Sequence, residues 1–255
     1  MDTRIFLGGF VIELQDVSKA FGSQVVLDHL SLKIPEGKLT VILGPSGEGK
    51  SVTLKHIIGL MPPDSGRVIV DGTDLWSLSE KERTDFRKKF GMLFQNAALF
   101  DSMTVFENVA FPMREHTNLS EEEISKKVYE KLLVVGLEKA AEKLPSELSG
   151  GMRKRVGLAR AIALEPKIIL YDEPTTGLDP LMTASINQLI TDTQKKLSIT
   201  SVVISHDIES TFRVADLVVL LYRGKIIAQG SPEDFRQRKF QHPFVNEFIK
   251  LSEFK

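Results

Sequence analysis

The stretch "VILGPSGEGKS", Val41 to Ser51, decides the fold. It sets Gly44, Gly49, Lys50 and Ser51 in the pattern G-x-x-x-x-G-K-[ST]. A strand-like run, "KLTVIL", precedes it, and a helical run, "SVTLKHIIGL", follows. Strand, glycine-rich loop and helix in that order predict a phosphate cradle. Glycines let the backbone turn sharply and aim N–H groups at phosphate oxygens, and the helix N-terminus adds its dipole. The cradle runs through Gly44, Pro45, Ser46, Gly47, Glu48, Gly49, Lys50, Ser51 and Val52. Lys50 is placed to reach the β- and γ-phosphates of a nucleotide, and Ser51 to offer its hydroxyl to Mg²⁺. A glycine-rich turn that binds nothing is the bland alternative, and the strand–loop–helix context weighs against it.

Outward from this loop, strand-like runs alternate with helical patterns: "KLTVILG", "RVIVDG", "KKFGMLFQ", "KIILYDEP", "TSVVISH" and "LVVLLYRGKIIAQG". Several are continuous β-branched stretches, as in a parallel sheet covered by helices on both faces. The first thirty-odd residues alternate more, and Arg223-Gly224 marks a turn between antiparallel strands. Between Gln95 and Ala163 the texture becomes helical. "SEEEISKKVYEKLLVVGL" reads as an amphipathic helix with a capping box at Ser120 and Glu123, and Ser79 with Glu82 makes a similar pair. The expected fold is α/β: a core with an antiparallel β subdomain over 1–95 and 164–231, an inserted helical lobe over 96–163, and a tail over 232–255.

Composition narrows the class. The chain has 255 residues, 42% apolar and 26% charged, with a formal net charge of -1 and no cysteine. The charge argues against a global footprint for nucleic acid, and the missing cysteines exclude disulfides and thiolate chemistry. No apolar run approaches the roughly 18–20 residues needed to cross a bilayer. "MDTRIFLGGFVIEL" lacks the basic start, apolar core and cleavage site of a secretion signal. The chain is therefore expected to be cytoplasmic, with any membrane spanned by a different polypeptide.

"KIILYDEP" stops an apolar run on Asp172 and Glu173. A buried strand ending on two carboxylates presents them at its C-terminal edge, where open α/β sheets bind ligands. Asp172 suits Mg²⁺, through a coordinated water, and Glu173 can polarise the water that attacks a γ-phosphate. Alone, the pair reads equally as a strand end turning at Pro174.

"ELSGGMRKRVGLARA", Glu147 to Ala161, opens a second helix start. Ser149 fits its N-cap, and Ser149, Gly150 and Gly151 expose N–H groups that make a second anion site. Here the sequence resembles the ATP-binding cassette ATPases over essentially its whole length. That resemblance implies a P-loop NTPase, RecA-like core, with the loop of one subunit and the "LSGGM" signature of another closing on the same ATP. It implies that Gln95 in "LFQN" belongs to the nucleotide and metal set and links the site to a membrane partner. It makes Asp179 in "GLD" a residue that signals across a dimer, His206 the switch histidine at the γ-phosphate, and Phe21 the adenine-stacking aromatic. Taken alone, a single aromatic at a strand end such as Phe21 is more often packing. His29, His56, His116 and His242 show no metal-ligand spacing and are expected to be structural.

Met152 stands where most cassette ATPases have glutamine. Met152, "GKSVTLKHIIGL" with Val52, and "RKRVGLARAIALEP" are similar to the ATPases of MCE-type, or Mla, lipid-trafficking transporters. The resemblance implies an ATP- and Mg²⁺-dependent homodimer on the cytoplasmic face of the inner membrane. Transmembrane permease subunits, an MCE-domain lipid-binding protein and a small accessory protein are its implied partners. Transport of other cargo, such as amino acids or drugs, stays open. One phosphate loop and no coiled-coil insertion argue against a non-transport cassette. Two features keep two readings each. Arg153, Lys154 and Arg155, unexpected at a positive helix N-terminus, are either a solvated face or an added attraction for ATP. The aromatic tail, with Phe235, Phe240, Phe244 and Phe248, either packs on its own core or meets another chain.

Overall fold

The phosphate loop lies between a short all-buried strand and a helix, and the rest of the topology follows from that pairing. The structure is a computed structural model and describes residues 9–253. In chain order it begins with strands β1 (Phe10–Phe21), β2 (Gln24–Pro35) and β3 (Leu39–Leu43), then helix α1 (Lys50–Ile57). Strands β4 (Ser65–Val70) and β5 (Thr73–Asp74) and helix α2 (Glu80–Arg87) come next. Strand β6 (Phe90–Leu93) leads into helices α3 (Val105–His116), α4 (Glu121–Val135) and α5 (Gly150–Ala161). Strand β7 (Ile168–Asp172) and helix α6 (Pro180–Leu197) follow. The chain ends with β8 (Thr200–Ser205), α7 (Ile208–Val214), β9 (Leu217–Tyr222), β10 (Lys225–Gly230), α8 (Pro232–Arg236) and α9 (Pro243–Glu253). The leader reading of "MDTRIFLGGFVIEL" falls partly on residues 1–8, and the tail reading partly on 254–255, outside the described residues. Among the described residues no helix is long and apolar enough to cross a membrane.

The chain divides into two units: one runs to Arg87 and resumes at Thr200, and the other is Lys88–Ile199. In the first, an antiparallel sheet has the order β2-β1-β4-β5. "RVIVDG", grouped above with the parallel-sheet runs, is β4 and lies in this sheet, with Leu14 opposite Val68 and Ile12 opposite Val70. Val68 and Val70 are buried and Ile69 is not, so a run without polar alternation still alternates in burial. A second sheet in this unit orders β10-β9-β3-β8, with β3 parallel to both neighbours. All five residues of β3 are buried. Each large aliphatic side chain there contributes about 1.5–3 kcal/mol by leaving water. Arg223 and Gly224 both take positive φ, 49° and 72°, in the expected hairpin turn between β9 and β10.

The tail packs within the same unit. Phe244 stacks on Tyr222 with ring centroids 3.8 Å apart, and Phe235, Val245 and Ile249 are buried. Of the two readings of the tail, packing on its own core is therefore realised.

In the second unit β6 and β7 pair in parallel and the helices gather around α5. Capping boxes start α4, at Ser120 and Glu123, and α3, at Thr104 and Glu107. The Ser79–Glu82 pair also forms its reciprocal bonds.

Candidate nucleotide site

The first unit holds the cradle. Gly44 leaves β3 so close to β9 that a β-carbon on it would run into the Leu221 carbonyl oxygen. Gly49 has φ 97°, and a β-carbon there would lie 2.7 Å from Leu27 Cδ2 and 2.9 Å from the Val26 carbonyl oxygen. Both positions need glycine for physical reasons independent of any ligand. Between them, the Glu48 carboxylate accepts a hydrogen bond from the Arg223 amide in the β9–β10 turn. Lys50 is buried, and its ammonium donates to the carbonyls of Gly44 at 2.8 Å and Pro45 at 2.7 Å. The loop thus folds around its own lysine. Ser51 is exposed at the first turn of α1.

His206 belongs to the same edge. β3 and β8 run parallel with Leu43 opposite Ser205, so Gly44 and His206 leave adjacent strand ends. His206 is exposed, and the next residue, Asp207, caps α7 by accepting from the Ser210 amide at 3.1 Å. Phe21 sits at the tip of the β1–β2 hairpin with 47% of its surface exposed, and the Lys19 ammonium lies 5.8 Å from its ring centroid. A ring so open is not held for core packing.

The second unit holds the other group of predicted residues. Its parallel pair sets Leu93 opposite Tyr171, so the Gln95 segment and Asp172 leave neighbouring strand ends. Glu173 takes φ 46°, a left-handed conformation costly for a residue with a side chain. Its carboxylate accepts from the Thr176 hydroxyl at 3.0 Å. Ser149 caps α5 by accepting from the Met152 amide at 3.3 Å. Asp179 caps α6, accepting from the amides of Leu181 and Met182 at 3.0 Å each. That cap faces the signature: Leu178 lies beside Gly150 and Met182 covers Gly151.

The basic run at α5 is not one uniformly solvated face: Arg153 is exposed, Arg155 half-buried and Lys154 buried. Arg153 donates to the Leu148 carbonyl at 2.8 Å, and Arg155 to the Val135 carbonyl at 2.7 Å and the Ser185 hydroxyl at 2.8 Å. Lys154 is buried and donates to the Gln95 carbonyl. The cations bind carbonyls of their own chain, which a reading limited to sequence spacing does not reveal.

Serine hydroxyl, amide and carboxylate oxygens are hard donors suited to Mg²⁺, which keeps waters and phosphate oxygens rather than a protein-only cage. Among the described residues no group of three or more histidine and carboxylate side chains gathers.

A glycine-lysine-serine loop that leaves a parallel strand for a helix, in a chain that also ends a second parallel strand on a carboxylate pair, defines a P-loop nucleoside triphosphatase. The chain belongs to the ABC transporter family, which its residues 27–176 match. It is an ATP-hydrolysing cassette of the kind whose hydrolysis is coupled to transport. It is 47% identical over 247 residues to the probable ribonucleotide transport ATP-binding protein mkl of Mycobacterium tuberculosis, covering 97% of this chain and 68% of that one. It is 46% identical over 240 residues to the intermembrane phospholipid transport system ATP-binding protein MlaF of Haemophilus influenzae, covering 94% and 90%. Among solved structures, the dimeric bacterial ABC transporter cassette MJ0796 matches with a TM-score of 0.80 and 34% identity, over 87% of this chain and 98% of that one. The same cassette bound to ADP and phosphate after hydrolysis matches with a TM-score of 0.79.

Proposed function

We propose that this chain powers phospholipid movement between membranes as the ATPase of an MCE-type transporter. The observation that carries the reading is its 46% identity, over nearly the full length of both chains, to a protein named for intermembrane phospholipid transport. Met152 and Val52 agree with it. The higher identity to a protein named for ribonucleotide transport favours the second reading, a different cargo on the same engine.

In this reading two copies bind two ATP head to tail on the cytoplasmic face of the inner membrane, beneath a permease, an MCE-domain protein and an accessory subunit. Lys50 exchanges its bonds to the Gly44 and Pro45 carbonyls for phosphate oxygens, and the loop amides from Ser46 to Val52 bind the rest. Phe21 offers its exposed face to the adenine. Ser51, Gln95 and Asp172 are the oxygen donors for Mg²⁺, which neutralises phosphate charge when bound. Glu173, held by its turn and by Thr176, accepts the proton of the attacking water, and His206 holds the γ-phosphate. Ser149, Gly150 and Gly151 grip that phosphate from the second copy, and Asp179 relays its state. Residues 96–163 act as the lobe that carries the signature.

Glu173→Gln tests the engine: the full-length variant is expected to bind ATP, dimerise on size exclusion and stop hydrolysing. Normal turnover would overturn the assignment. Capture of the chain from detergent-solubilised membranes tests the cargo. A multi-span permease with an MCE-domain protein is expected. A permease without one, and no ATP-driven lipid transfer between vesicles by the captured complex, would move the reading to another cargo.

A further inference from the structure

Burying Lys154 is doubly unfavourable. An ammonium loses its hydration there, and the N-terminal end of a helix repels a cation. Yet Lys154 is 6% exposed, near the start of α5, and donates to the backbone carbonyl of Gln95. It does not act alone. Gly157, three residues on, admits the Gln95 segment so closely that a β-carbon would lie 2.6 Å from Leu93 Cδ1 and 3.1 Å from Ala97 Cβ. Arg160, three further, donates to the carbonyls of Ala97 at 2.6 Å and Ala98 at 2.7 Å. Residues 154, 157 and 160 share one helix face. Ala97 and Ala98 both take left-handed φ, 59° and 46°, so the gripped loop is held in a conformation it does not prefer.

The loop's other neighbour is β7. With Leu93 opposite Tyr171, the Gln95 segment lies beside the strand end that carries Asp172 and Glu173. Burial lowers the pKa of the Lys154 ammonium, while the charges of Asp172 and Glu173 raise it.

We propose that Lys154 is a positioning residue of the ATPase site. It ties the Gln95 loop to the signature helix and sets that loop beside the Asp172–Glu173 strand end, so that helix and loop move as one piece. The proposal rests on the reading of Gln95, Asp172 and Glu173 given above.

The test compares full-length wild type, Lys154→Met, Lys154→Arg and Glu173→Gln in steady-state ATP hydrolysis. Lys154→Met keeps the aliphatic stem and removes the donor. It is expected to lower kcat about tenfold with KM for ATP within about twofold of wild type, the pattern of an interaction made in the transition state. Lys154→Arg, which restores a cationic donor, is expected to recover to within about threefold. The melting temperature of Lys154→Met is expected to stay close to that of wild type, because removing a buried ammonium offsets the loss of its bond to the Gln95 carbonyl. Amide hydrogen exchange over residues 95–98 is expected to quicken in Lys154→Met. Wild-type kcat in Lys154→Met overturns the proposal. So does unchanged exchange, a loss that Lys154→Arg does not recover, or a loss that comes with a fall in melting temperature. Turnover that survives Glu173→Gln would remove the site reading itself, whatever Lys154 does.

Discussion

Met182 closes over Gly151: a β-carbon on the glycine would overlap the methionine's terminal methyl. The Asp179 carboxylate fixes the contact by accepting the Met182 amide at 3.0 Å. A bulky charged residue at position 151 would therefore first collide within its own chain, and a loss of activity would say nothing of a partner. Gly151→Ala separates the two effects. The methionine tip is flexible, and alanine in a helix is favoured over glycine by up to about 1 kcal/mol. Gly151→Ala is thus expected to melt close to wild type. In a Glu173→Gln background it is expected to weaken ATP-driven dimerisation on size exclusion, and Met182→Ala added to it is not expected to restore the dimer. Restoration would place the whole effect in intrachain packing.

Glu48 is the phosphate loop's tie to the β9–β10 turn. Its carboxylate accepts the Arg223 amide, while Gly44 backs on Leu221 in the same hairpin. An exposed bond of this kind contributes about 0.5–1.5 kcal/mol. Glu48→Ala is expected to cost about 1 kcal/mol in urea unfolding and to raise KM for ATP more than it lowers kcat, since the loop binds ground state and transition state alike. Glu48→Gln keeps an acceptor oxygen and is expected to recover most of both. Equal KM in all three proteins would show that the loop holds its shape without the tie.

Much of this was legible because chemistry there is local. The spacing of Gly44, Gly49, Lys50 and Ser51, the strand ending at Asp172 and the Ser149 cap each follow from a few adjacent residues. What stayed hidden depends on partners distant in sequence. Nothing near Lys154 announces the Gln95 carbonyl, and nothing near Gly151 announces Met182. Helix α3 lies inside the lobe read as helical over 96–163, but it is not singled out there as a separate helix; Pro112 falls within it. Its capping pair, Thr104 and Glu107, and the spacing of Val105, Val109 and Met113 were signals that could have found it. The strand β4 was misplaced because β-branched residues on its half-exposed face look like core.

His56 links stability to pH. It is fully buried in α1, and its Nδ1 lies 2.6 Å from the Met61 carbonyl oxygen, so Nδ1 carries the proton and donates. Its Nε2 is buried without a hydrogen-bond partner. A second proton would enter at Nε2, in a place that offers it no acceptor. Burial accordingly lowers the pKa below the ordinary 6.5, against the Met61 carbonyl, which raises it; Lys19 lowers it further and Asp64 opposes. The folded state therefore binds this proton less readily than the unfolded chain. Its contribution is fully present above 6.5 and is lost as pH falls from there through the lowered folded value. Wild-type urea midpoints are expected to fall between about pH 7.5 and pH 5, and His56→Leu, which cannot take the proton, is expected to flatten that part of the curve. Both proteins carry every other titrating group, so the difference between the two curves isolates this imidazole. Parallel curves would mean that His56 is protonated equally in both states and that the Nε2 site is open to water.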